Sequence, residues 1–211
     1  MNNSLLVSDA RTTKRNKAEA RFKAYGLGAI IVAMLALVIL LSSVIGNGAS
    51  SFQQTFITLP VQLNADRLDK QGNRDPAEMA KTTTIGYAPV LRDAIVAEVA
   101  RQGLTTTLSD KDVADMISKE AAATVRDRVL ANPDLVGQTV TFDLLASGRI
   151  DGFFKGRVTM ESAARDGNTS QEALQIAEAF AEAGVLVTIF NWGFFTNPDA
   201  SVQRPEAAGL G

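Results

Sequence analysis

The chain has 211 residues, with 21 Lys and Arg against 23 Asp and Glu, a net charge of -2, and neither Cys nor His. That length suits one domain plus an appendage, and the charge balance supplies no basic field for nucleic acid. The missing residue types exclude disulfides, thiolate nucleophiles, imidazole acid–base catalysis and zinc sites of the usual kind, so no cofactor is expected.

The first element is apolar. Gly26 to Ile45 runs twenty residues without a charge, about 30 Å as a helix and enough to span a bilayer. A signal peptide would have a shorter apolar core followed by a small-residue cleavage site, so an uncleaved spanning helix is predicted over residues 24–45. Met1 to Lys23 carries Arg11, Lys14, Arg15, Lys17, Arg21 and Lys23 against Asp9 and Glu19, whereas Gly46 to Ala65 carries no charge. The positive-inside rule then keeps residues 1–23 in the cytoplasm and places residues 46–198 outside as a periplasmic domain. Six of the 21 basic and two of the 23 acidic residues precede that domain, which leaves 15 and 21, a net of -6. Tyr25, Phe52 and Phe56 flank the span as interface aromatics, a role that Phe52 and Phe56 share with the core of the next element.

In Phe56 to Leu63, Ile57, Leu59, Val61 and Leu63 alternate with smaller or polar residues, a strand that Pro60 assigns to an edge. Asp66 to Pro76 reads as a charged, solvated loop, with Asp75-Pro76 opening the next helix. Val90, Leu91, Ile95, Val96 and Val99 form one stripe of a helix from Pro89 to Gln102, stopped by Gly103. Ser109 and Asp112 form a capping-box pattern before Val113, Met116 and Ile117, on a helix reaching Leu130 with a break and ended by Asn132-Pro133. Thr139 to Leu145 and Phe153 to Val158 read as two strands joined by a hairpin turn at Ala146 to Gly152. Thr169 and Glu172 suggest a second capping box, before a helix carrying Ala173, Leu174, Ile176, Ala177 and Phe180 and ended by Gly184. Val185 to Phe190 reads as a buried strand. The predicted fold class is α+β: one N-terminal transmembrane helix, then a small mixed α+β extracytoplasmic domain with helices on one face of its sheet. Residues 199–211 read as a linker.

Chemistry is sparse. Ser109 and Ser118 lie near Lys residues, the raw material of a Ser/Lys hydrolase, but no S-x-x-K is present and both suit structural roles. Asp110, Asp112 and Asp115 sit at a helix start, where acidic residues complement the dipole as readily as they bind a cation. Gly152, Lys155 and Gly156 lack the phosphate-loop spacing. Arg74, Arg149, Lys155 and Arg157 read as solvated surface or as a local basic patch. No enzyme, catalytic residue or metal site is expected. Phe190, Trp192, Phe194 and Phe195 put four rings within six residues, more than one strand face buries; they are the candidate partner-contact aromatics, for a protein or the membrane surface, against a core role.

Several ordered segments carry a family resemblance: Lys17-Ala18-Glu19-Ala20-Arg21-Phe22-Lys23-Ala24-Tyr25-Gly26-Leu27, Phe52-Gln53-Gln54-Thr55-Phe56, Asn73-Arg74-Asp75-Pro76, Phe153-Phe154-Lys155-Gly156-Arg157 and Phe190-Asn191-Trp192-Gly193-Phe194-Phe195-Thr196-Asn197. Together they resemble the N-terminal region of the PstA family, permease subunits of bacterial phosphate ABC importers, in the version with a large periplasmic insertion after the first helix. The resemblance implies a place in phosphate import at the bacterial inner membrane. Its implied partners are the second permease subunit, the ATPase subunits, the periplasmic phosphate-binding protein and the lipid bilayer. It also implies that the segment from Arg204 to Gly211 leads towards a permease core absent here, so the chain is expected to be a fragment with no phosphate-contacting residue. The alternative is a single-pass, membrane-anchored periplasmic interaction or sensor domain.

Overall fold

A computed structural model describes residues 10–165 and 170–195 of the chain. It divides into two compact units, one up to Ala49 and one from Ser50 onward. In the first unit, helix α1 covers Ala10–Gly48. It continues through the basic flank instead of beginning near residue 24, because Ala18, Glu19, Ala20 and Lys17 are strong helix formers and Glu19 pairs with Lys23 at 2.7 Å one turn on. Thr13–Gly46 is long and apolar enough to cross a membrane by length and composition, and none of its apolar window is buried.

The second unit is a mixed α+β domain built on a three-stranded antiparallel sheet. A 3₁₀ turn, Ala49–Phe52, leads into β1, Gln53–Gln62. Short helices α2 (Ala65–Leu68) and α3 (Pro76–Met79) follow, the latter capped by the Asp75 carboxylate with Pro76 in its first turn, as the sequence predicts. Then come α4 (Thr84–Arg101), α5 (Asp110–Ala114) and α6 (Glu120–Ala131), a 3₁₀ turn at Pro133–Leu135, and β2 (Thr139–Leu145). Helices α7 (Gly148–Phe154), α8 (Met160–Arg165) and α9 (Gln171–Glu182) precede β3 (Leu186–Phe190) and a last 3₁₀ turn, Trp192–Phe195.

The strand order is β2-β1-β3, so β1 is central and the edge assignment drawn from Pro60 is wrong. Its pairing explains how a proline fits there. The Thr58 N–H donates to Val185 O on the β3 side, and Pro60, two residues on, turns its nitrogen to that same side beyond the end of β3. Ile57, Leu59, Val61 and Leu63 are fully buried on the face covered by helices. α4 and α7 pack on β1, α6 on β2 and α9 on β3. Each such side chain contributes about 1.5–3 kcal/mol when fully buried.

Helix α4 begins earlier than its proline suggested, with Pro89 inside it. The expected stripe is buried at Val90, Leu91, Ile95 and Val99. At its end Gly103 has φ +69, and the N–H groups of Gly103 and Leu104 donate to Ala100 O and Val99 O, a two-bond C-terminal cap that needs glycine's positive φ. Tyr87, on the first half of α4, is wholly buried and its hydroxyl has no partner among the described residues. Burial pushes that phenol above its usual range, with Arg126 pulling the other way.

Ser109 caps α5 through the Asp112 N–H, and its hydroxyl donates to the Asp112 carboxylate. Met116 and Ile117 lie in the break before α6, where Ile117 bridges to Ala146 and the Ser118 N–H donates to Leu145 O. Ser118 is therefore buried, not on a helix surface.

The predicted hairpin over residues 139–158 is overturned: β2 pairs with β1 along Phe56↔Leu145 to Gln62↔Thr139, the expected turn lies largely in α7, and the expected second strand is the end of α7 and the turn after it. The α9 stripe is buried as expected, but its cap is Ser170, whose hydroxyl accepts the Ala173 N–H, and Thr169 lies outside the described residues. β3 is an edge strand, not a buried one: Val187, Ile189 and Phe190 are exposed.

Candidate functional site

The β1–β3 register sets Gln53 opposite Phe190, and the Asn191 N–H extends the ladder by donating to Phe52 O at 2.7 Å. The 3₁₀ turns at either end then fold Phe52, Trp192 and Phe195 around Phe190. Phe52 stacks on Phe190 at 6.3 Å and on Phe195 at 6.2 Å between centroids, and Phe190 lies 4.7 Å from Trp192 and 6.5 Å from Phe195. Ring pairs in such geometries add about 0.5–1.5 kcal/mol each beyond area burial, so the cluster holds its own shape. It is nevertheless open: Trp192 is 76 %, Phe195 53 % and Phe190 44 % exposed. Three of the four candidate aromatics thus form one patch with Phe52, which sequence reasoning had left between interface and core. The Phe194 side chain lies outside the described residues.

A second cluster lies at the end of β2. When β2 stops at Leu145, the next inward-facing amide of β1, that of Thr55, still needs an acceptor; the Asp151 carboxylate supplies it at 3.1 Å. The other carboxylate oxygen holds Lys155 at 2.6 Å, one turn along α7, with both side chains almost fully buried. Arg157 approaches the same oxygen at 3.7 Å from solvent. Lys155 is therefore an interior ion-pair partner, not the surface residue expected from its type. Thr55 also hydrogen-bonds Thr188 across the sheet at 3.1 Å between hydroxyls. This arrangement ties α7 to the strands.

The remaining candidates are structural. Arg74 pairs with Asp134 at 2.9 Å. Asp110 and Asp112 occupy the first turn of α5, and no group of three or more acidic, His or Cys residues suited to a metal occurs among the described residues. A cavity of about 380 Å³ lined by Asp69, Lys70, Glu78 and Lys81 mixes both charges, and Lys81 is held by Glu78 at 2.6 Å.

Sequence reasoning missed the role of Glu172. Instead of closing a capping box, its carboxylate accepts the Thr106 hydroxyl at 2.6 Å and the Thr107 N–H and hydroxyl at 2.5 Å each, clamping the loop between α4 and α5 to the start of α9. Those bonds, the Thr106 hydroxyl's first, hold the carboxyl below its usual range. A lowered folded value means that the clamp stabilises above the unfolded value of 4.5 and is lost as pH falls through the folded one. We therefore expect the difference in unfolding midpoint between wild type and Glu172→Gln to be constant near neutrality and to shrink in acid; a difference that persists unchanged below the folded value refutes the clamp.

Neither a curated protein nor a solved structure matches the chain. The profile of a family described as a domain of unknown function, DUF3333, matches residues 9–164, from the start of α1 into α8 and short of α9 and β3. That span covers most of the sequence, and the chain belongs to the DUF3333 family.

Proposed function

We infer that this chain is the N-terminal part of a phosphate ABC importer permease subunit: a membrane anchor, with its N-terminus cytoplasmic, carrying a periplasmic α+β domain that meets the importer's other components. The observation that carries this reading is that three of the five segments that resemble such permeases meet in the fold. Phe52-Gln53-Gln54-Thr55-Phe56 and the segment opening Phe190-Asn191-Trp192 are far apart in sequence, yet Gln53 pairs with Phe190. The word Phe153-Phe154-Lys155-Gly156-Arg157 supplies Lys155 to Asp151, which in turn holds the Thr55 amide. The basic residues before α1's apolar run, against none in Gly46 to Ala65, support the orientation.

The test is uptake. The complete open reading frame encoding this segment, expressed in a bacterium deprived of its phosphate permease subunit, is expected to restore import of radiolabelled phosphate. Protein present in the membrane without uptake overturns the reading. It then favours the second one, an anchored interaction or sensor domain.

A further inference from the structure

We propose that the Phe52–Phe190–Trp192–Phe195 cluster is a second membrane contact, seated at headgroup depth in the leaflet from which α1 emerges. The inference rests on the anchoring half of the reading above and not on phosphate transport.

Exposed apolar surface in the domain is concentrated, not scattered. Among the described residues outside α1, the large exposed hydrophobic residues are Ile85, Val187, Ile189, Phe190, Trp192 and Phe195, so all but one of these lie within nine residues at the end of the described chain. Soluble domains rarely expose apolar surface in one strip without something to cover it.

Charge selects the occupant. Gly46 to Ala65 contains no Asp, Glu, Lys or Arg, and neither does Ala183 to Pro198. The β1–β3 register brings these two uncharged stretches together, so the patch has no charged rim from either of the strands that build it. Protein contacts draw on such a rim for register and partner choice, whereas an aromatic patch seated among lipid headgroups needs none.

Ring chemistry fixes the depth. Indole combines an apolar body with an N–H donor and concentrates at the headgroup level of bilayers. The outer edge of β3 carries backbone groups that no strand pairs among the described residues. Water among the headgroups satisfies them, and hydrocarbon does not, so the cluster stays at the interface. The chain also enters the cluster soon after leaving the bilayer, since Phe52 is the seventh residue past Ile45.

Trp192 is the chain's single tryptophan, so its fluorescence reports the cluster directly. The full chain is reconstituted into phosphatidylethanolamine–phosphatidylglycerol vesicles and checked by flotation. We expect Trp192 to be shielded from aqueous acrylamide and to lose about half of its emission to lipids brominated near the headgroup end of the acyl chains, with weaker quenching by bromine near the chain terminus. Co-flotation with full acrylamide access and no bromine quenching overturns the proposal while leaving the anchor intact. Shielding that grows with protein density and ignores brominated lipid also overturns it, and assigns the strip to a second copy of the chain. Failure to float overturns the anchor, and this inference with it. Uptake activity enters none of these outcomes.

Discussion

Replacing Asp151 with alanine is expected to lower the unfolding free energy of the domain by about 3–5 kcal/mol, the usual loss when one partner of a buried ion pair is removed. The effect is large because one carboxylate answers two needs. Without it the Lys155 ammonium, 4 % exposed, has no counter-charge at contact distance among the described residues, and the Thr55 N–H loses its acceptor where β2 ends. Arg157 cannot substitute, since it is itself a cation. Asp151→Asn keeps an oxygen for Thr55 and forfeits only the charge, so it should lose less. The paired change Asp151→Leu with Lys155→Met removes both charges and leaves only the orphaned amide, about 1–3 kcal/mol. Urea unfolding of the full chain in detergent, followed by circular dichroism, orders the three variants. A loss below about 1 kcal/mol for Asp151→Ala shows that water reaches the site and that the pair does not hold α7 to the sheet.

The same pair explains what the sequence did and did not disclose. Signals confined to a few neighbouring residues were legible: Gly103 and Gly184 as helix stops, Ser109 and Asp75 as caps, and the full extent of β2. The stripes on α4 and α9 were equally plain, because a buried helix face repeats every three to four residues. What failed depended on partners distant in sequence. Residues 153–158 read as a strand; in the structure Phe153 and Phe154 end α7 and the rest is turn, fixed by an Asp151–Lys155 contact that makes sense only once Thr55, 96 positions from Asp151, comes to it. Pro60 did mark a locally unpaired side, but β3, far later in the chain, pairs with the earlier part of β1 on that same side and so sets β1 between two strands. Glu172 has the spacing of a capping box, and only the fold reveals that it spans 65 residues to Thr107 instead.

The aromatic cluster was half legible for the same reason. Four rings in six residues exceed the capacity of one strand face, which flagged the site from composition alone. The part played by Phe52 was not visible, because it depends on the register that sets Gln53 against Phe190. Exposure of Val187 and Ile189 was hidden too: VLVTIF reads as a core strand, and nothing in it says that β3 sits at the edge.

A single arginine at Leu35 or at Leu37 is expected to cost α1 about 2.5–3.5 kcal/mol of insertion free energy each, and both together should convert the chain from a carbonate-resistant membrane protein to an extractable one. Leu35 and Leu37 lie near the middle of the apolar run and, at about 100° per residue, face nearly opposite sides of the helix. That opposition separates two kinds of anchor. A helix lying in the membrane surface has one polar face and tolerates arginine there, so one substitution would be silent. From Gly26 to Ile45 the helix has no charged residue on any side and is exposed at every position but Gly28, so both positions should be penalised alike. Leu35→Ala and Leu37→Ala, which keep the run uncharged, should remain in the pellet. Equal penalties establish a spanning helix; one silent position places α1 on the surface of the bilayer, and retention of the double variant shows that α1 is not the anchor.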